Sequence, residues 1–281
     1  MKVLLIVLVI LICIAVGISF YLATLRIQNI KGFRPFKVYN KDLFSPASKK
    51  SNILVLQDGA YKSFPEYGTI GSEINKAYCK KWGYEYKLIT YDDLGILPPY
   101  WLKVKDVKEL LPKYDAVLYV DMDAIFTDFD TSIDSVLEYI DKKKGKSFDL
   151  YVGMDKILQY SINSGVFLVR NTSFGNEFMA SWLATCLDTK GQIVNKCAQW
   201  EYDKDTEKWS CPGCLFGGFE YEQGILDYLV NLYPDNVIRL SSLFFSNPDT
   251  DRASFILHLM GKKNKEDIVN VFKEVKNRLN I

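Results

Sequence analysis

The chain has 281 residues, 48% hydrophobic and 25% charged, with a net charge of +1. That composition suits one ordinary globular domain, alone or with an appendage. No global field points to nucleic acid, and the basic runs at 142–144 and 262–263 are short enough to be solvated faces or loops.

The N-terminus stands apart. Residues 3–23 carry no charge and are mostly Leu, Ile and Val, about the 20 apolar residues that span a hydrocarbon core. The run is too long and too Ile-rich for a cleaved signal peptide. The expected organisation is a transmembrane signal anchor over 1–24, a stem over 25–50 and one domain over 51–281. Lys2 precedes the apolar run, and Arg26, Lys31, Arg34 and Lys37 follow it. Taken literally, the positive-inside rule keeps the domain cytosolic.

Beyond the stem, 52–57 reads as a strand that Asp58-Gly59 breaks. A helix is predicted over 70–82, with Ile74, Ala77, Tyr78 and Trp82 on one stripe and Gly83 ending it. A strand over 84–89 follows. After Pro98-Pro99 comes a helix over 101–111, apolar at Val104, Val107, Leu110 and Leu111 and stopped by Pro112. Residues 116–120 are a short β-branched and aromatic strand. Further on, helices are predicted over 132–144, 174–187, 222–233 and 266–279, and strands over 149–153, 165–170, 236–240 and 254–259. Strands alternating with helices argue an α/β fold with a largely parallel sheet that turns mixed in its less regular second half. No G-x-G-x-x-G follows the first strand, so no dinucleotide fingerprint is present.

The segment 189–218 is long, polar and cysteine-bearing, the kind of stretch that is functional or disordered. Cys197, Cys211 and Cys214 lie in it and Cys186 just before it. Two disulfides in an oxidising lumen are the first reading, unpaired thiols the second and zinc the third. Only Cys211 and Cys214 have ligand-pair spacing.

Asp121-Met122-Asp123 closes the strand over 116–120. Residues two apart on a strand share a side, so both carboxylates can converge on one divalent cation at the carboxyl edge, where open α/β sheets bind ligands. Mg²⁺ and Mn²⁺ take such oxygens and leave positions for phosphate. His258, the only histidine, ends the last apolar strand and is a candidate third ligand.

Several stretches in order carry a resemblance. They are Asn75-Lys76-Ala77-Tyr78-Cys79 with Trp82-Gly83-Tyr84, Tyr100-Trp101-Leu102-Lys103, the Asp-x-Asp, Asn163-Ser164-Gly165-Val166-Phe167 through Arg170-Asn171, Glu222-Gln223-Gly224, and His258-Leu259-Met260-Gly261. Together they resemble the metal-dependent, retaining glycosyltransferases of the GT-A fold, and most closely the group with fungal α-galactosyl- and α-mannosyltransferases and plant xyloglucan xylosyltransferases. The resemblance implies Mn²⁺ (or Mg²⁺) held by Asp121, Asp123 and His258 against the diphosphate of a nucleotide sugar. It implies Leu56, Gln57, Asp58 and Gly59 along the nucleotide, with Lys103, Met122, Gly261 and Lys263 beside the diphosphate. Asn163, Ser164 and Gly165 would lie by the donor sugar or the acceptor, and Glu222 and Gln223 would face the sugar from the opposite wall. The reaction moves a hexose or pentose from a UDP- or GDP-sugar to a glycan or glycoconjugate. The segment 189–218 is placed for the acceptor side. A type II protein facing the Golgi or ER lumen is implied, against the flanking charges, and the resemblance leaves room for a homodimer.

Each residue also has a plainer role: Lys103 as an exposed helix face, Asn163 as a cap, Gly165 as a turn, Glu222 as a helix-start acid favoured by the dipole. An aspartate-nucleophile phosphatase also sets Asp-x-Asp after an apolar strand, and an inactive membrane-tethered glycan binder is the non-enzyme alternative. Neither accounts for the histidine motif with intact acids.

Overall fold

The computed structural model describes residues 39–59, 65–91, 93, 95, 97–155, 162–188, 190, 192–250, 253–261 and 264–281. The expected anchor at 1–24 and Lys263 lie outside them. Among the described residues, no helix is long and apolar enough to cross a membrane.

Six strands form the main sheet. β1 (Ile53–Gly59), β2 (Glu85–Thr90) and β3 (Ala116–Val120) are parallel, β5 (Leu150–Met154) and β9 (Val237–Leu240) are parallel, and β6 (Ile162–Arg170) runs against both β3 and β5. The order is β2-β1-β3-β6-β5-β9. All seven residues of β1 are buried, which fits a continuous apolar run in a sheet covered on both faces. Asp58 and Gly59 do not break it; the strand runs through them, still paired to Ile89 and Thr90. β6 likewise begins at Ile162, not at 165, so Asn163, Ser164 and Gly165 are strand residues rather than a turn.

One face of the sheet carries α2 (Pro99–Leu110), α4 (Ser173–Ala184) and α5 (Glu222–Leu232), packed on a core that includes Trp101, Trp182, Phe167 and Leu226. α1 (Glu66–Trp82) and α7 (Lys265–Leu279) enclose a second cluster with Ile74, Met122, Ile125, Leu257 and Phe272. Gly83, in the left-handed region at φ 68°, ends α1 as its sequence position predicts. Ser132 caps α3 (Ile133–Lys144) through the Ser135 amide.

After Val120 the chain turns and enters β4 (Ala124–Phe126), which pairs antiparallel with β10 (Ile256–His258), setting His258 opposite Ala124. The buried amide of Asn75 brackets β4: Nδ2 donates to the Ala124 carbonyl at 3.0 Å, and Oδ1 accepts from the Phe126 amide at 3.0 Å.

The segment 189–218 is not featureless. Cys186 and Cys197 form one disulfide and Cys211 and Cys214 another, and β7 (Glu201–Asp203) and β8 (Lys208–Ser210) make a hairpin. A short helix, α6 (Ser242–Phe245), was not predicted. Residues 39–50 lie against the domain, with Tyr39 buried and bonded to Asp128.

Candidate functional site

Asp121 follows β3 directly, while Met122 and Asp123 form the turn into β4. The two carboxylates therefore share a side through a turn rather than through strand alternation. The Ala124 amide closes it onto the Asp121 carbonyl at 3.0 Å. The Gln57 amide donates to the same carbonyl at 3.0 Å and is itself held by the Tyr86 hydroxyl at 2.7 Å. The Met122 side chain goes the other way, into the cluster under α1 and α7, and the Leu56 side chain is in the core. These two positions present only backbone to a ligand.

His258 comes to the acids from the C-terminal strand. Its Nε2 lies 3.1 Å from Asp123 Oδ1 and 3.7 Å from Asp121 Oδ2. One donor atom from each of Asp121, Asp123 and His258 lies within 4.8 Å of the others. Burial opposes charge on His258, yet Asp123 and then Asp121 raise its pKa above the ordinary imidazole value. Burial also opposes charge on Asp123, and the facing imidazole nonetheless holds that carboxyl below the usual range. The cluster thus favours a positive charge between the acids and the ring, either a proton or a cation.

Gly165 keeps that space open. A Cβ built there would lie 2.2 Å from His258 Cε1, 2.4 Å from Asp121 Oδ2 and 2.9 Å from Asn163 Oδ1. Two oxygens and one imidazole nitrogen around a cradle that excludes even a methyl group fit a small divalent ion. The Asn163 side chain caps the Gly165 amide at 2.8 Å, and its Nδ2 lies 3.2 Å from Met260 Sδ.

Lys103 is not the exposed face of its helix. Its ammonium is buried, 2.9 Å from Asp121 Oδ1 and 3.4 Å from Glu222 Oε1. Burial disfavours that charge, but Asp121 and Glu222 more than compensate and raise its pKa. Glu222 is buried at the first turn of α5. Its Oε1 accepts from the Ser164 hydroxyl at 2.7 Å, while Oε2 has no partner among the described residues. Burial pushes the Glu222 carboxyl up against the pull of Lys103. Gln223 Oε1 accepts from the Ser164 amide at 3.1 Å. Ser164 thereby ties β6 to the start of α5.

Tyr119 had no role in the motifs. Its hydroxyl sits 2.9 Å from Asp58 Oδ1 and 3.0 Å from Asp121 Oδ1, and the Lys103 ammonium lies 5.0 Å from its ring centre. The pairing of β1 with β3 brings Tyr119 to Asp58. Asp58 is fully buried; burial first, then nearby Asp106, drives its carboxyl well above the usual range. Gly261 is exposed in a left-handed turn at φ 69°, three residues past His258. Two open clefts of about 580 and 560 Å³ lie elsewhere, one at the edge where β1 and β3 begin and one between residues 41–50 and the segment 130–135. Their shared acid Asp134 is already engaged by the Ser51 amide and the Tyr84 hydroxyl.

No family model matches the chain. It is 27% identical over 172 residues to "Probable glycosyltransferase 6" of Oryza sativa subsp. indica, covering 56% of this chain and 34% of that protein. It is 29% identical over 119 residues to "Galactomannan galactosyltransferase 1" of Cyamopsis tetragonoloba, covering 38% of this chain and 25% of that one. The chain thus spans about a third or less of the curated relatives it matches. Among solved structures, a glycosyltransferase involved in the glycosylation of the major capsid of PBCV-1 superposes with a TM-score of 0.53 at 15% identity, over 79% of this chain and 99% of that one. The fold is that of a known glycosyltransferase. It is mixed α/β, as the alternation of elements led one to expect.

Proposed function

We propose that this chain is a metal-dependent, retaining glycosyltransferase of the GT-A type. In this reading it moves a hexose or pentose from a UDP- or GDP-sugar to a glycan or glycoconjugate. The observation that carries the reading is the convergence of Asp121, Asp123 and His258 on the cradle left by Gly165, with the Lys103 ammonium alongside.

Asp121, Asp123 and His258 are the residues that would hold Mn²⁺ (or Mg²⁺), which when bound supplies Lewis-acid stabilisation of a leaving diphosphate. Lys103 keeps a fixed positive charge beside that position in a buried setting, where charge stabilisation is strongest. Gln57, Asp58 and Gly59 end β1 next to Asp121, a place suited to the nucleotide. Ser164 holds Glu222 and Gln223 in place behind the sugar position, Glu222 through its Oε1 and Gln223 through its Oε1. Glu222 Oε1 is occupied by Lys103 and Ser164, which supports a hydrogen-bonding role over a nucleophilic one. Retention then follows from front-face attack, with the leaving diphosphate taking the acceptor's proton. A glycosyl adduct trapped on Glu222 would overturn that step.

The apolar run at 3–23 and the two disulfides support a type II anchor with the domain in an oxidising lumen. The deciding experiment screens UDP- and GDP-sugars with Mn²⁺ for metal-dependent donor hydrolysis by the purified chain, with Asp123→Asn as control. Full activity in Asp123→Asn sinks the metal assignment.

A further inference from the structure

Among the described residues, several exposed large apolar side chains fall on 215–221, the start of α2 and α5. Leu215 is 80% exposed and Phe216 75%, and Tyr100, Phe219 and Tyr228 are also open to solvent. Contiguous exposed apolar surface of this kind marks a binding site. Within it, Tyr221 is the hub of a ring cluster. Its ring centre lies 5.1 Å from each of Tyr100, Trp200 and Phe216, and Tyr100 lies 6.1 Å from Phe216.

This cluster borders the candidate site. Tyr100 is one helical turn before Lys103 on α2, and Tyr221 immediately precedes Glu222. It is also held in place. The indole N–H groups of Trp101 and Trp200 both donate to the Glu220 carbonyl, at 3.1 and 2.8 Å, which pins the residue before Tyr221. Gly224 lets the Gly217-Gly218 turn press on the first turn of α5; a Cβ there would lie 2.1 Å from the Gly218 carbonyl oxygen. The Cys211–Cys214 disulfide closes the turn that leads into Leu215 and Phe216.

Charge selects the occupant. Residues 212–238 contain no Lys or Arg but do contain Glu220, Glu222, Asp227 and Asp235. Glu222 is paired with Lys103 and Asp235 with Lys146, so an anionic partner, whether nucleic acid or an acidic bilayer, finds no cation in that segment to bind. A neutral sugar ring fits: its C–H face lies against the electron-rich faces of aromatic rings, and Glu220, half-buried beside Tyr221, offers a carboxylate to its hydroxyls. We propose that Tyr100, Phe216 and Tyr221 form the acceptor platform, on which a neutral pyranose of a glycan stacks beside Glu222. The word acceptor rests on the glycosyltransferase reading; the saccharide platform itself does not.

The test is saturation-transfer NMR on the full chain in a sugar-free detergent. The probes are neutral cello-, xylo-, manno- and galacto-oligosaccharides. At least one should take up saturation, most strongly at ring C–H protons, and Phe216→Ala and Tyr100→Ala should each weaken its affinity at least tenfold with melting temperature near wild type. Leu43→Ala, an exposed apolar residue in the short turn Lys41–Leu43, should bind as wild type does. The platform is overturned if none of the saccharides takes up saturation, or if both ring variants bind as wild type does. It is equally overturned if Phe216→Ala dissociates a dimer in sedimentation while leaving saccharide binding intact. The same wild-type sample is assayed for Mn²⁺-dependent donor hydrolysis. Saccharide binding without hydrolysis leaves the platform standing and removes the transferase reading; hydrolysis without saccharide binding does the reverse.

Discussion

Gly165→Ala is the sharpest single perturbation of the candidate metal cradle. The added methyl lies 2.2 Å from His258 Cε1 and 2.4 Å from Asp121 Oδ2, roughly 1 Å short of ordinary contact in each case. Retreat of the backbone is blocked, because the Gly165 carbonyl accepts from the Asp121 amide at 2.7 Å and Val166 is paired with Val120. The imidazole and the carboxylate must therefore move apart. Overpacking of this kind costs about 1–3 kcal/mol, or about 2–4 °C of melting temperature per kcal/mol in a domain of this size. The functional effect is larger, since misplacement near 1 Å costs on the order of 100-fold in rate. Expected are a folded protein by circular dichroism, Mn²⁺ binding weakened beyond detection in calorimetry, and donor hydrolysis down about 100-fold or more. If Gly165→Ala binds Mn²⁺ and hydrolyses donor as wild type does, the three side chains do not form the metal cradle.

Other outcomes follow from the same geometry. Lys103→Met leaves the buried Glu222 carboxylate without its cation and should cost about 3–5 kcal/mol in urea unfolding. Adding Glu222→Gln should restore part of that loss, and strictly additive effects would show that the pair does not interact. Asn75→Ala strands two backbone groups of β4, with an expected loss of about 1–3 kcal/mol for each; an unchanged melting temperature would refute the bracket. For Asp58, burial raises the folded pKa above its unfolded value near ~3.9. The native state then holds the proton more tightly, so the contribution is complete below about pH 4 and is lost as pH rises through the folded pKa. Asp58→Asn should therefore gain on wild type from about pH 4 upward, by at most ~1.4 kcal/mol per pH unit; parallel stability profiles would contradict the shift.

The helices and most strands were legible because periodicity and punctuation agree. Gly83 and the Ser132 cap mark boundaries that local chemistry dictates. The departures share one cause, which is that polarity was taken for exposure. Asp58 extends β1, and Asn163 and Ser164 open β6, because each buried polar group has partners supplied from distant elements. The identities of Asp121, Asp123 and His258 could be read in chain order, but the turn that presents the acids could not. The Lys103–Glu222 contact and the place of Tyr119 were hidden for the same reason. They depend on which strands lie side by side, and β6 running antiparallel between β3 and β5 is a matter of tertiary topology.

The pairing of β10 with β4 sets an order of events during synthesis. The two acids leave the ribosome long before His258, and until the late strand zips onto β4 they face each other without the imidazole. A nascent chain cannot grip an ion with all three side chains until nearly the whole domain has emerged. On the proposed metal reading, an ion held by that closed ribbon would add about 2.7 kcal/mol at a hundredfold excess over its dissociation constant, and that gain would fall on the last segment to dock. Under the metal reading, supply of the ion in the compartment of synthesis would bear on how many chains finish folding.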